Sequence, residues 1–291
     1  MATVRFSTPA DIPALRSLWQ EVFGDSDADL DRFFDYNYTP EKALVLEEEG
    51  AVRSMYVWFD VGFTVPGHAD VPAAYLYALA TRPESRGKGY ARQLIQDSWP
   101  MLRQLGKRLV VQVPAQPSLH IFYEDCGFHE CFINAQYELN PVKPPFAVPG
   151  VTLEKVSPEE YIAVREALLA DVPRITYPPE VMAFQDRYCA DTSGGLYVGH
   201  TMVGSVCLCL QRTPDNLVMA KEYLGGRDAR MLAASKLYDL APNLRWIVRC
   251  PLDFAPAGAA VRKFGMLHWL EPEEDMLWDK ESTAYLGLAF D

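Results

Sequence analysis

The stretch ATRPESRGKGYARQLI, Ala80 to Ile95, sets two glycines and two basic residues in four consecutive positions, Arg86-Gly87-Lys88-Gly89, between two apolar segments. A glycine-rich turn between the end of a strand and the start of a helix leaves several backbone N–H groups with no intrahelical carbonyl to bind. With the positive end of the helix dipole they form a cradle for phosphate oxygens. Glycine lets the backbone approach closely, and Arg86 and Lys88 add charge at the rim. Both flanks suit this reading. Ala73 to Ala80 reads as a strand, while Ala91, Leu94, Ile95, Ser98, Leu102 and Leu105 mark one helical face, which Pro100 is expected to kink or shorten.

Working outward, Val4 to Phe6 reads as a strand. Thr8-Pro9-Ala10-Asp11 supplies a capping hydroxyl, a proline at the first helical position and an acid behind it. A helix ending at Gly24 should follow, then a second from Ala28 to Tyr38. Ala43 to Leu46, Val52 to Val65 and Ala73 to Ala80 form an antiparallel meander, and Leu109 to Val113 is a further strand. Pro117 to Asp125 is a short helix and Cys131 to Leu139 a last strand or strand pair. The segment NPVKPPFAVPG, where prolines discourage both helix and sheet, separates a domain of residues 1–140 from one of residues 151–291, with 141–150 as linker.

Beyond the linker the element order repeats. Val151 to Val156 is a strand, Ser157-Pro158-Glu159-Glu160 opens a helix, and Pro178 to Ala190 is a second helix. Leu196 to Leu210 is a strand pair, Leu217 to Leu224 a strand, Ala229 to Leu240 a helix and Trp246 to Cys250 a strand. Gly258 to Phe264 reads as a short helix, and Ala284 to Asp291 as a strand tied to the body. The fold class is α/β (α+β), a duplicated architecture with little residue identity between its halves.

Composition sets outer bounds. The chain has 291 residues, 49% hydrophobic and 23% charged, so two globular domains of roughly 140 residues are expected. A net charge of −12 argues against nucleic acid as a partner, because phosphate backbones need a basic footprint. The six cysteines show no CxxC pair and no Cys/His zinc spacing, so no metal is expected and the thiols read as free and buried. No apolar run approaches a membrane span, and MATVRFSTPADIPAL has no basic start followed by an apolar core. A cytoplasmic location follows as the expectation.

The run Arg86-Gly87-Lys88-Gly89-Tyr90-Ala91 has the pattern R-x-x-G-x-A, and downstream sits Phe122-Tyr123-Glu124-Asp125-Cys126-Gly127-Phe128. Together they resemble the GNAT superfamily of acyl-CoA-dependent N-acyltransferases, over about Met1 to Leu139. The resemblance implies two GNAT-like domains, each a mixed, mostly antiparallel twisted sheet flanked by helices. It implies that Arg86, Gly87, Lys88, Gly89, Tyr90 and Ala91 bind the pyrophosphate of acetyl-CoA, and that the strand from Tyr75 to Thr81 parts from its neighbour to pair with the pantetheine arm. Backbone N–H groups near Leu79, Ala80 and Thr81 are then free for the thioester oxygen, and Tyr123 is the general acid. Where many relatives carry a cofactor-binding asparagine ahead of the tyrosine, this chain has Gln116.

The second half resembles a GNAT unit whose loop has degenerated, since Gly225-Gly226-Arg227-Asp228 lacks the basic pattern and sets an acid where phosphate would sit. What the resemblance implies overall is acetyl transfer from acetyl-CoA to a primary amine by direct attack in a ternary complex. The acceptor is a small molecule or a peptide. No general base stands out: Asp60, Glu84 and His120 each read more readily as ordinary residues, and a chain of waters is the alternative. Trp58, Phe59, Tyr75 and Tyr77 alternate on strands, so that those on one face are core and those on the other line an acceptor pocket. The competing classes are a non-catalytic CoA-responsive or protein-binding module and an aminoacyl-transferring tandem enzyme. GxGxxG and GxxxxGK[ST] are both absent, which removes dinucleotide and P-loop readings.

Overall fold

The computed structural model describes residues 1–271 and 282–290. In chain order the elements are β1 (Thr3–Phe6), α1 (Ile12–Phe23), α2 (Asp27–Tyr36), β2 (Ala43–Glu48), β3 (Ala51–Thr64), β4 (Val71–Thr81), α3 (Tyr90–Gln104), β5 (Leu109–Gln112), α4 (Leu119–Cys126) and β6 (His129–Leu139). There follow β7 (Thr152–Lys155), α5 (Pro158–Leu168), β8 (Arg174–Thr176), α6 (Pro179–Ala190), β9 (Gly195–Thr201), β10 (Gly204–Arg212), β11 (Leu217–Leu224), α7 (Arg227–Leu240), β12 (Arg245–Cys250) and β13 (Ala260–Trp269). The chain divides into two compact units. The first holds Met1–Val61, Val71–Glu130 and a segment starting at Met266; the second holds Gly62–Asp70, Cys131–Gly265 and a C-terminal segment.

In the first unit the strand order is β1-β2-β3-β4-β5-β13, mostly antiparallel with β4 and β5 parallel. Local chemistry starts its helices as the sequence indicates. Asp11 closes a capping box with Thr8 ahead of α1, Gly24 ends α1 at φ 76°, and Ser26 and Asp29 cap α2. One sheet face carries Leu44, Leu46, Tyr56, Trp58, Ala74, Leu76 and Val110, which pack with Leu94, Ile95 and Leu102 of α3 and with Tyr123 and Cys126 of α4. On the other face Phe59 and Tyr77 meet Trp19 of α1 and Phe33 of α2, with ring centroids 5.4 to 6.3 Å apart. Strand alternation thus sends Trp58 to the core below α4 and Phe59 to the α1–α2 face.

The second unit repeats this order strand for strand as β7-β9-β10-β11-β12-β6, again with one parallel pair, β11 with β12. One face is an apolar layer of β10, β11 and β12 under α7. The opposite face holds a buried ion pair. The Arg165 guanidinium donates to both oxygens of Glu222 at 3.0 Å, and Tyr161 Oη donates to the same carboxylate at 2.9 Å. A buried pair of this kind is costly to break, on the order of 3–5 kcal/mol when one partner is removed.

Several expectations are corrected. The segment predicted as a helix at Gly258 to Phe264 leads instead into β13, whose Met266 to Trp269 pair antiparallel with Gln112 to Leu109. The last strand of the first unit therefore comes from the far end of the sequence, while Ala135 to Leu139 of β6 pair with β12 in the second unit. Helix α3 runs unbroken through Pro100. Leu94, Ile95, Ser98 and Leu102 bury along its length on both sides of the proline, and that packing outweighs the lost hydrogen bond. The Ala284 to Asp291 segment is tied down through two isolated bridges, at Ala284 and Tyr285, rather than as a strand. Its residue Asp291 lies outside the described residues. Strand β8, pairing Arg174–Thr176 with Gly62–Thr64, is too short to leave a period in the sequence.

Candidate active site

The site is built where β4 ends. The parallel pairing of β4 with β5 covers only Ala73↔Leu109, Ala74↔Val110 and Tyr75↔Val111, although β4 continues to Thr81. The two strands part after Tyr75. In the parted segment Ala78 has φ 53°, a left-handed conformation that costs an alanine on the order of 1 kcal/mol and breaks the regular alternation of backbone donors. Leu79, Ala80 and Thr81 follow directly. Ala80 is fixed from beneath: the buried Ser54 hydroxyl donates to its carbonyl at 2.8 Å and lies 2.8 Å from Thr81 Oγ1.

The chain then turns. Arg82 anchors the turn by donating from its backbone N–H to Arg53 O at 2.9 Å and from its guanidinium to Val52 O and Glu21. Arg86 Nε reaches back to Thr81 O at 3.3 Å. Gly87 and Gly89 sit at φ 76° and 81°, conformations that other residues adopt only under strain, and Gly89 is the N-cap of α3. The first intrahelical bond runs from Gln93 N to Gly89 O, so Tyr90, Ala91 and Arg92 present their N–H groups at the open end of the helix. A Cβ at Gly87 or Gly89 would meet nothing within 4 Å among the described residues. Arg86 through Gly89 are all exposed, and the Lys88 ammonium lies 5.7 Å from the Tyr90 ring centroid. Just ahead of this turn, Ser85 Oγ is buried with no hydrogen-bond partner among the described residues.

Tyr123 occupies the middle of α4 with its ring 7% exposed, edge-on to Phe122 and Phe128 at 5.1 and 5.7 Å. It is a core aromatic of the face that also carries Leu76. Burial, reinforced by the neighbouring Cys126 thiol, pushes its phenol above the ordinary tyrosine value, so the hydroxyl stays protonated across the usual pH range. Gln116 is exposed in the loop before α4, where its carbonyl accepts Leu119 N–H at 3.0 Å.

The structure separates the candidate bases. Asp60 is engaged by Lys107 at 2.6 Å, by Lys42 at 3.0 Å and by Trp58 Nε1 at 3.2 Å. Burial would raise its carboxyl, but the two lysines outweigh this and hold it below the ordinary value. His120 is paired through Nδ1 with Glu130, and Glu84 is exposed on the turn after β4. Among the described residues no group of three or more His, Cys, Asp or Glu side chains is placed to hold a metal.

Two residues at the parting of the strands escape sequence reasoning. Ala78 carries no sequence signal for its positive φ. Gln112 ends the otherwise apolar strand Leu-Val-Val-Gln and is 1% exposed. A polar residue closing a buried strand is the signal that could have drawn attention to it.

A mixed sheet whose central parallel strands part above a basic glycine turn at a helix N-terminus is the arrangement the first unit shares with GNAT folds. Residues 3–131 match the family model of the acetyltransferase (GNAT) domain. The likeness of fold extends over both units. A GCN5-related N-acetyltransferase from Anabaena variabilis aligns over 93% of this chain and 73% of its own, at 17% identity and a TM-score of 0.73. Eis1 from Mycobacterium abscessus aligns over 95% of this chain and 75% of its own, at 16% identity and a TM-score of 0.70. A tandem GNAT protein from the clavulanic acid biosynthesis pathway aligns over 94% and 99%, at 12% identity and a TM-score of 0.56. No curated protein matches the chain by sequence.

Proposed function

We propose that the chain is an acetyl-CoA-dependent N-acetyltransferase, passing the acetyl group to the primary amine of a small molecule or peptide by direct attack in a ternary complex. One observation carries the reading: β4 leaves β5 after Tyr75 and runs straight into a turn whose glycines face open space at a helix N-terminus. These residues fit coenzyme A. The space a Cβ would fill at Gly87 and Gly89 is the space a pyrophosphate needs, and the N–H groups of Tyr90, Ala91 and Arg92 complement its charge. Arg86 and Lys88 add positive charge at the rim.

Acetyl-CoA supplies an activated thioester. The chain's own contribution is to orient it and to meet developing charge. Backbone donors of Leu79, Ala80 and Thr81, released from the β5 ladder, are the oxyanion partners in this reading. Tyr123, held protonated by burial, offers a hydrogen to the departing sulfur. Asp60 is committed to Lys42 and Lys107 and His120 to Glu130, so in this reading the proton of the amine passes to water. Most of the acceleration comes from holding two substrates side by side. The six buried free thiols fit a reducing cytoplasm, and among the described residues no helix is long and apolar enough to cross a membrane.

The test is titration calorimetry with coenzyme A followed by thiol release from acetyl-CoA over a panel of polyamines, aminoglycosides, amino acids and peptide N-termini. Binding together with amine-dependent thiol release is expected. An absence of binding overturns the reading, whereas binding without release for any amine favours a non-catalytic CoA-responsive module.

A further inference from the structure

Gln112 is buried to 1% exposure, yet among the described residues neither its Oε1 nor its Nε2 has a hydrogen-bond partner. Buried carboxamides almost always satisfy at least one end, so an amide orphaned at both ends needs an explanation. Its position provides one. The last parallel pair is Tyr75↔Val111, which makes Gln112 the first residue of β5 beyond the point where β4 departs. Strand alternation puts Gln112 on the same face as Val110, the face that also carries Leu76 and Tyr123. Directly opposite on β13 is Met266, whose thioether is at most a weak acceptor. The amide therefore sits beside Met266 on an otherwise apolar face, next to the point where the strands part.

We infer that Gln112 is a specificity residue for the pantetheine arm, pairing its carboxamide with one of the arm's amides by donating from Nε2 and accepting at Oε1. An amide satisfies both ends of a carboxamide at once; a phosphate or a thioester oxygen engages only the donor. This rests on the proposed reading that acyl-CoA lies where β4 and β5 part. A purely structural polar residue predicts the opposite behaviour, because exchanging an orphaned amide for an apolar group of similar volume leaves binding untouched.

The experiment compares wild type with Gln112→Leu, and with the less branched Gln112→Met should the leucine disturb packing. Two probes are titrated calorimetrically, coenzyme A and its nucleotide portion lacking the arm, and melting temperatures of the ligand-free proteins are recorded. Coenzyme A should bind about tenfold more weakly to the variants, the arm-less nucleotide should bind as it does to wild type, and the ligand-free melting temperature should rise by about 2–4 °C. Unchanged coenzyme A affinity in a folded variant overturns the inference while leaving the proposed function standing. Failure of wild type itself to bind coenzyme A removes the reading beneath it.

Discussion

At Tyr123 a single oxygen separates two roles. The ring is committed to the core, so Tyr123→Phe keeps its packing against Phe122 and Phe128 and should leave both melting temperature and coenzyme A affinity near wild type. The hydroxyl stays protonated up to high pH, which makes it a weak acid toward a thiolate that is itself a stable leaving group. Turnover should fall on the order of 10²-fold rather than vanish, with the loss in kcat. Full kcat in the variant would assign Tyr123 to the core alone. Asp11 carries the clearest pH signature. The bidentate Arg5 guanidinium holds its carboxyl at about 2 against an ordinary 3.8; burial opposes this, and the Thr8 N–H and hydroxyl add to it. The folded state gives up this proton more readily than the unfolded one, so the stabilisation is present above pH 3.8 and is lost as pH falls through about 2. Asp11→Asn should cost about 1–2 kcal/mol at neutral pH and flatten the acid limb of a melting-temperature profile in that window.

At the level of elements, the turn between β4 and α3 is the place where conformation and function make separable demands. Gly89 sits at φ 81° with no atom of the described residues within 4 Å of its missing Cβ, so Gly89→Val meets backbone strain of about 1–2 kcal/mol but no clash with them. The branched side chain would enter the open space above the helix end. The protein should remain folded, as circular dichroism can check, while coenzyme A affinity drops at least tenfold in a calorimetric titration. Unaltered affinity would reduce the loop to an ordinary turn. The C-terminal segment makes a different kind of element, held by burial rather than by a ladder. Gly287, at φ 83°, lies so close to the Glu222 carboxylate that any Cβ there would collide with it. Tyr177 Oη donates to Leu286 O at 2.7 Å, and Lys221 Nζ donates to Ala289 O at 2.8 Å. Removing the residues from Leu288 onward strips buried Leu288 and Phe290 and the carbonyl that receives Lys221. A thermal melt should report a loss of about 4 kcal/mol. A truncated chain that melts like wild type would contradict the docking seen here.

For the molecule as a whole, two units of one topology face different demands at matching positions. In the second unit the first glycine of the junction after β11 is packed down, while Gly226 is exposed. A Cβ at Gly225 would lie 2.8 Å from Ser205 O, Arg230 Nε donates to Gly225 O at 3.0 Å, and Asp228 sits in the first turn of α7. The acid at the turn and the packing around Gly225 both disfavour phosphate. Calorimetry should therefore return one coenzyme A per chain, and two equivalent sites would show that the second turn opens.

How much of this was legible depends on how local the cause is. The capping boxes at Thr8, Ser26 and Ser157, the stop at Gly24 and the glycine turn at Arg86 to Gly89 are set by neighbouring residues, through side-chain caps and positive φ. The sequence alone determined these, together with the element order of the first unit as far as α4 and the resemblance carried by its two motifs. Strand partnership is different in kind. Nothing in residues 260–269 distinguishes a strand that closes the first unit from one that stays in the second, because the choice is made by hydrogen bonds and packing between segments over a hundred residues apart. The same holds for the parting after Tyr75, for the φ of Ala78 and for the unpaired amide of Gln112. Each is a consequence of where β4 and β5 stop sharing a ladder, and only the assembled sheet decides that.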